Sequence, residues 1–343
     1  MHAPIDTIKA LALASVGILG CMPTDVDFMP PTDIDEDCDM LNANIIVRSA
    51  NDARSLPQKC FMVAGDVEVI GSDLGDLGPL IYLRQANTLR IKDNPVLHTL
   101  AGLDRVKVIE HVEIDNNPML TDVSGLGRTD TVTRVTISKN PQLASLEGLR
   151  SLREVGAGGV SLRDNGGPRN LQELEALERI EGSLRIEGNG GMTDLRTARA
   201  LDSVGEVVII GNRTLNSVGL EVTTVNGDLT ISDNESLATF AGFSRTTGIT
   251  GDLTVERNAA LTDLRGFSAS FNTIGKNLKI DGNAVLADVY DMAVNLISVG
   301  GSLIVTNNIL LSACRAEDFD FYLEDIGGLI DIGDNSAAWD PCH

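Results

Sequence analysis

Asparagine recurs every 22 to 27 residues along most of this chain, at Asn94, Asn117, Asn140, Asn165, Asn189, Asn212, Asn234, Asn258, Asn283, Asn308 and Asn335. Each closes the same phrase: an apolar residue, any residue, an apolar residue, two more and then Asn, as in Leu89-Arg90-Ile91-Lys92-Asp93-Asn94 and Leu229-Thr230-Ile231-Ser232-Asp233-Asn234. A period of about 24 residues marks a solenoid, in which each repeat is one coil and stacked neighbours bury a common core.

The other repeat positions supply that core. Apolar side chains return three residues after the Asn (Leu97, Leu120, Leu143, Met192, Leu215) and again at six (Leu100, Val123, Leu146, Leu171, Leu195). A lone apolar residue precedes the next strand, at Val155, Ile180, Val204, Val225, Ile249, Ile274, Val299 and Ile326. The strand phrase alternates with period two, which predicts a parallel sheet with one face in the core and one in solvent. Gly182, Gly205, Gly227, Gly251, Gly275 and Gly300 stand just before strands, where a tight corner or a positive φ is expected. The Asn is expected at the corner after the strand, its amide bonded to the backbone of its own and the adjacent coil, a structural role. Counting a degenerate first rung at Val67 and Val69, the reading is mostly β: a right-handed β-solenoid of about twelve coils and about 55 Å.

The strand core is mostly Leu-x-Ile or Val-x-Ile, and the next Leu falls three residues after the Asn, where an ordinary leucine-rich repeat has it two after. On these positions the stretch from Cys38 to His343 resembles the receptor L domain, a leucine-rich-repeat-like β-helix found in receptor ectodomains, fungal cell-wall proteins and bacterial surface lipoproteins. The array is longer than one such domain and has no cysteine-rich module or kinase beside it, so receptor signalling is not carried over.

The amino terminus reads as a targeting segment. Ala10 to Gly20 is an apolar run of signal-peptide length, too short for a stable membrane anchor, with one nearby Lys, Lys9, and an acid, Asp6. It ends in Ile18-Leu19-Gly20-Cys21, which resembles the lipobox of bacterial lipoproteins. That resemblance implies cleavage before Cys21 and its acylation, and Met22 after the Cys resembles the pattern for outer-membrane delivery. An ordinary secretory signal and a misassigned start are the alternatives. Residues 22 to 37 carry Pro23, Pro30, Pro31 and six acids, composition for a self-repelling tether of about 20 to 30 Å. The organisation is therefore a signal peptide (1–20), a lipidated Cys with its tether (21–37), an amino-terminal cap (38–66), repeats (67–313) and a carboxy-terminal cap (314–343).

Five Cys become four once Cys21 is assigned to lipid. Cys38 with Cys60, and Cys314 with Cys342, flank the array, and these pairings alone are not stretched along the rod. Each would hold an end cap at about 3 kcal/mol; free core thiols are the alternative.

The net charge of −22 argues against nucleic acid, which demands a basic stripe. The four His are dispersed, and no P-loop, zincin or nucleophile-elbow motif occurs. Neither enzyme activity, metal nor cofactor is expected. The solvent face of the sheet is the best surface for a partner. Its basic residues Arg90, Lys92, Arg163 and Arg185 gather in the amino-terminal half, Arg163 is placed to pair laterally with Glu187, and Val208 with Ile210 breaks the polar pattern. The expected function is a lipid-anchored, monomeric binding module for a protein or glycan of the envelope. A passive spacer is the second reading. The third is a polysaccharide-acting enzyme, for which Glu113 and Asp115 are the nearest acid pair.

Overall fold

The computed structural model describes residues 38–197 and 201–336. The signal peptide, Cys21, the tether and Cys342 lie outside the described residues. The described residues belong to one compact unit, a mostly β solenoid of about 13 turns with 9% helix.

Two parallel ladders run along it. The first carries the strand phrase: Ile45–Val47 pairs with Val67–Ile70, which pairs in turn with the second half of Leu83–Lys92. The series continues through Val108–Asp115, Thr131–Ser138, Glu154–Arg163, Arg179–Glu187 and Leu201–Ile210. It ends with Leu229–Ser232, Leu253–Glu256, Leu278–Asp281, Leu303–Thr306 and Ile330–Gly333. The rung at Ile45–Val47 raises the count above the expected twelve. It falls in the segment read as a cap, which lacks an Asn because Ala50 takes that position and opens a short helix, Ala50–Arg54, capped by the Ser49 hydroxyl.

The second ladder is an addition to the sequence reading. The lone apolar residues before the corners belong to it, in strands as short as Gly248–Ile249, Thr273–Ile274 and Ser298–Val299. Its start is Asp39–Leu41 against Phe61–Val63, and its end is Asp325–Ile326. Two residues cannot display an alternation, so period-two patterning does not reveal them.

The third side follows the Asn and is mostly irregular, with isolated parallel bridges such as Asp122 to Ser145 and Asp263 to Asp288. Apolar columns from all sides meet in one continuous core. Where Leu gives way to Phe, the rings pack within a coil, Phe240 on Phe243 at 5.5 Å and Phe267 on Phe271 at 4.3 Å, and between coils, Phe267 meeting Phe240 at 5.1 Å and Phe243 at 5.3 Å between centroids. Helix Ala313–Tyr322, capped by Ser312, packs near the last coil. No helix among the described residues is long and apolar enough to cross a membrane.

Candidate binding face

Alternation along the first ladder turns every second side chain outward, and the parallel register stacks those side chains in columns. Arg90 stands in register between Glu68 and Glu113 of the coils on either side and bonds to both, its Nε donating to Glu113 Oε2 at 2.8 Å. Lys92 reaches Asp115, its register partner, at 3.3 Å. Arg163 meets Glu187 at 2.8 Å, the lateral pair expected from the sequence. Arg185 divides its guanidinium between Glu187 at 3.0 Å and Glu206 at 3.3 Å. Lower on the same face Lys279 bridges Glu256 and Asp281. The cations that looked like a basic patch are thus each held by acids, mostly from the next coil.

The ionisation of these groups follows. The hydrogen bond to Glu113 holds the Arg90 guanidinium above its usual range, and the bond to Asp115 does the same for the Lys92 ammonium. For Asp115, burial pushes upward, and the Ser138 hydroxyl together with Lys92 and Lys139 outweighs it, leaving the carboxyl below the usual range. Asp281 shows the same balance, with burial opposed by Asn307, Thr306 and two nearby cations. Glu113 and Asp115, the nearest acid pair in the sequence, are both occupied by these partners. Among the described residues no group of three or more His, Cys, Asp or Glu is arranged to hold a metal ion.

Val208 is 4% exposed. Arg185, its register partner, bonds Glu187 on its own strand and Glu206 on the strand of Val208. Ile210 is half-buried. The apolar break in the face is therefore a covered feature and presents little contact area.

The Asn column lies at one edge of this face, inside. Each amide nitrogen from Asn94 to Asn335 donates to a backbone carbonyl of the preceding coil, as Asn234 does to Ile209 at 3.0 Å and Asn117 to Ile91 at 3.0 Å. Each amide oxygen from Asn117 onward accepts the backbone N–H and the amide N–H of the Asn before it; Asn258 Oδ1 accepts both from Asn234 at 3.2 Å. A nitrogen must face the carbonyl, so the amide orientation is set in every coil. Ser72 occupies the first position of the column and donates through its N–H and hydroxyl to Asn94 Oδ1, at 2.9 and 2.8 Å. The Asn side chains from Asn94 to Asn308 are buried and Asn335 is half-buried, so the glycosylation-like Asn212-Arg213-Thr214 and Asn234-Glu235-Ser236 carry no accessible amide.

The residue before each column position has a left-handed backbone. From Gly71 through Asp93, Asn116, Lys139, Asp164, Gly188, Gly211, Asp233, Arg257, Gly282 and Asn307 to Asp334, φ lies between 51° and 67°. Gly, Asn and Asp tolerate that region and fill all but two of these positions, a signal present in the sequence but unread. At one exception, Arg257, the side chain returns to Asp233 of the preceding coil through two bonds of 2.7 and 2.8 Å.

Cys38 and Cys60 are joined, and the bridge lies beside the Asp39 to Phe61 register, so it staples two successive coils of the second ladder. Cys314 is disulfide-bonded as well; its expected partner Cys342 lies outside the described residues.

Comparison with protein-family models, with curated proteins and with solved structures finds no match to this chain.

Proposed function

We propose that this chain is a lipid-anchored extracytoplasmic binding scaffold of the receptor L-domain type, carried on the bacterial outer membrane through Cys21 and its acidic tether. It presents the outer face of the first ladder to a protein or an envelope polymer, without catalysis. The supporting observation is the face itself: a continuous parallel sheet whose long charged side chains are already held coil to coil, by Arg90 to Glu68 and Glu113, Arg163 to Glu187, and Arg185 to Glu187 and Glu206. Holding those rotamers before contact lowers the entropy lost on binding. The side chains of Arg163 and Arg185 stay partly exposed, and a guanidinium has five N–H donors, more than these ion pairs use.

The same pairing favours a second reading. A face whose charges satisfy one another resists sticking, as a passive spacer would require. The two separate in one experiment: cosedimentation of the oxidised chain with envelopes of its own source, beside the variant Arg90→Ala, Lys92→Ala, Arg163→Ala, Arg185→Ala. Saturable binding lost in the variant supports the scaffold. Absence of binding, or binding the variant keeps, moves the assignment to the spacer or to another face.

A further inference from the structure

Solenoids usually end by covering the last coil, since an uncovered one leaves core side chains and a strand edge to solvent. Among the described residues both ends here are open. At the amino-terminal end, Asp39–Leu41 and Ile45–Val47 each have a strand partner on one side only. Leu41 and Ile45 stand in core columns yet are half-buried, and Met40 and Ile46 are exposed. At the carboxy-terminal end, Asp325–Ile326 and Ile330–Gly333 are likewise paired on one side. There Ile326 and Ile332 are half-buried core residues, Ile330 is exposed, and Leu329 is 78% exposed.

The two ends match. In both terminal coils the last core residue of the second ladder and the first of the first ladder stand four apart in sequence, Leu41 to Ile45 and Ile326 to Ile330. Every pair among the described strands is parallel, so whatever continues the stack must present two strands in the same direction at that separation. The first coil of a second copy does so. Placing Leu41 on Ile326 brings Ile45 onto Ile330 and Val47 onto Ile332 with no change of register, so apolar side chains meet in the core columns of both ladders, while outside them Met40 and Ile46 fall on Asp325 and Asp331. Two like ends meeting would need antiparallel pairing, which occurs nowhere among the described strands.

We propose that copies of this chain stack head to tail, the amino-terminal coil of one continuing both ladders of the carboxy-terminal coil of the next. Such a contact is heterologous and does not close, so it yields rods of growing length. It departs from the monomer expected from the sequence and stands independently of the binding scaffold.

The test is sedimentation velocity of the full chain in detergent, at one chain or fewer per micelle, over a hundredfold range of concentration. The average mass is expected to rise with concentration without a plateau. Ile46→Glu sets a carboxylate between Glu68 of its own chain and Asp331 of the next copy and so blocks one end, and Ile330→Lys blocks the other, so each variant alone is expected to stay monomeric, while an equal mixture forms a dimer and stops. Leu329→Lys, at a side chain almost free of the core, gives a second block of the carboxy-terminal end, and matching melting curves establish that the variants fold. A wild-type monomer at every concentration would overturn the proposal. So would a closed dimer that Ile46→Glu leaves intact, or a mixture that fails to restore pairing.

Discussion

The three coils that begin at Leu83, Val108 and Thr131 and the five that begin at Val222, Gly248, Thr273, Ser298 and Asp325 turn the same corner by different means. In the first group three residues separate the core side chains of the two ladders (Ala86 to Leu89, Ile109 to Val112, Val132 to Val135), and the strand passes through the bend unbroken. In the second group the separation is four (Val225 to Leu229, Ile249 to Leu253, Ile274 to Leu278, Val299 to Leu303, Ile326 to Ile330), and each strand is split in two. The added residue accompanies the split in these five coils but does not suffice for it, since Arg179–Glu187 has the same separation, Ile180 to Leu184, in one unbroken strand; where the strand is split, the corner must find new partners for its backbone.

It finds them in a second side-chain column. Asp228 Oδ1 accepts the Asp252 N–H at 2.8 Å, and Asp252 Oδ1 accepts the Asn277 N–H and amide at 2.8 and 2.9 Å. Asn277 Oδ1 then accepts the Ser302 N–H at 2.8 Å, and Ser302 Oγ the Leu329 N–H at 3.2 Å. The glycines beside it are there for close approach: a Cβ on Gly275, Gly300 or Gly327 would overlap a backbone carbonyl oxygen of the coil before. Their φ values are not left-handed, so of the two explanations expected at the sequence level, contact applies and conformation does not. The corner of the first group uses Thr88, Glu110, His111 and Arg134 in place of glycine, and the buried Nδ1 of His111 has no hydrogen-bond partner.

Substitutions should separate the two designs. Gly300→Ala is expected to cost about 3 to 4 kcal/mol in denaturant unfolding, because neither the Cβ nor the facing carbonyl can yield, while Glu110→Ala stays within about 0.5 kcal/mol. Asp252→Ala leaves the Asn277 N–H and amide without their acceptor, and because Asn277 is exposed and can turn to water the loss is about 0.5 to 1.5 kcal/mol; His111→Ala, at the matching corner, removes no such bond and is expected to cost less.

A smaller contrast uses two threonines. Thr246 Oγ1 donates to the Val222 carbonyl at 2.6 Å, whereas Thr129 is buried with its hydroxyl unpartnered. Thr129→Val should raise stability by about 1 kcal/mol and Thr246→Val lower it by a similar amount. Both stand three residues before the core residue of the second ladder, Val132 and Ile249, and the opposite order in paired thermal melts would show that the Thr129 hydroxyl is bonded in the folded chain.

The smallest effect is a pH dependence shared by both groups. Asp115 and Asp281, together with Asp233 beside Arg257, have carboxyls held below the ordinary value in the folded state. Depressed folded values mean that the stabilisation is fully present above the unfolded value of about 3.9 and is lost as pH falls through the folded values. Melting temperature should be level from neutral pH to about 5 and fall below about 4. Asp115→Asn and Asp281→Asn should each flatten that fall, and a variant that falls as the wild type does would remove its carboxyl from the account.

Much of the frame was legible because it repeats. The Asn interval, the Leu and Val columns and the outward face all follow from period and alternation. The missing parts are those where a coil departs from the consensus or where partners must be chosen. Ile45–Val47 escaped because Ala50 replaces the Asn, and the second ladder because two residues show no pattern. The left-handed column was masked by Lys139 and Arg257. On the face, the columns put Arg90 beside both Glu68 and Glu113, but which acid a flexible cation takes depends on rotamers that only the folded coil sets.

Both groups share the Asn column, and the claim that it clamps coil to coil is the one on which the rest depends. Asn234 is the sharpest place to test it: its nitrogen reaches Ile209 and Ser232, and it both gives to Asn258 and receives from Asn212. Equilibrium unfolding of Asn234→Ala, measured beside Arg163→Ala on the outer face, is predicted to show a loss of about 3 to 5 kcal/mol against one within about 0.5 kcal/mol. A loss at Asn234 no larger than at Arg163 would mean that the column follows from the fold and does not hold it.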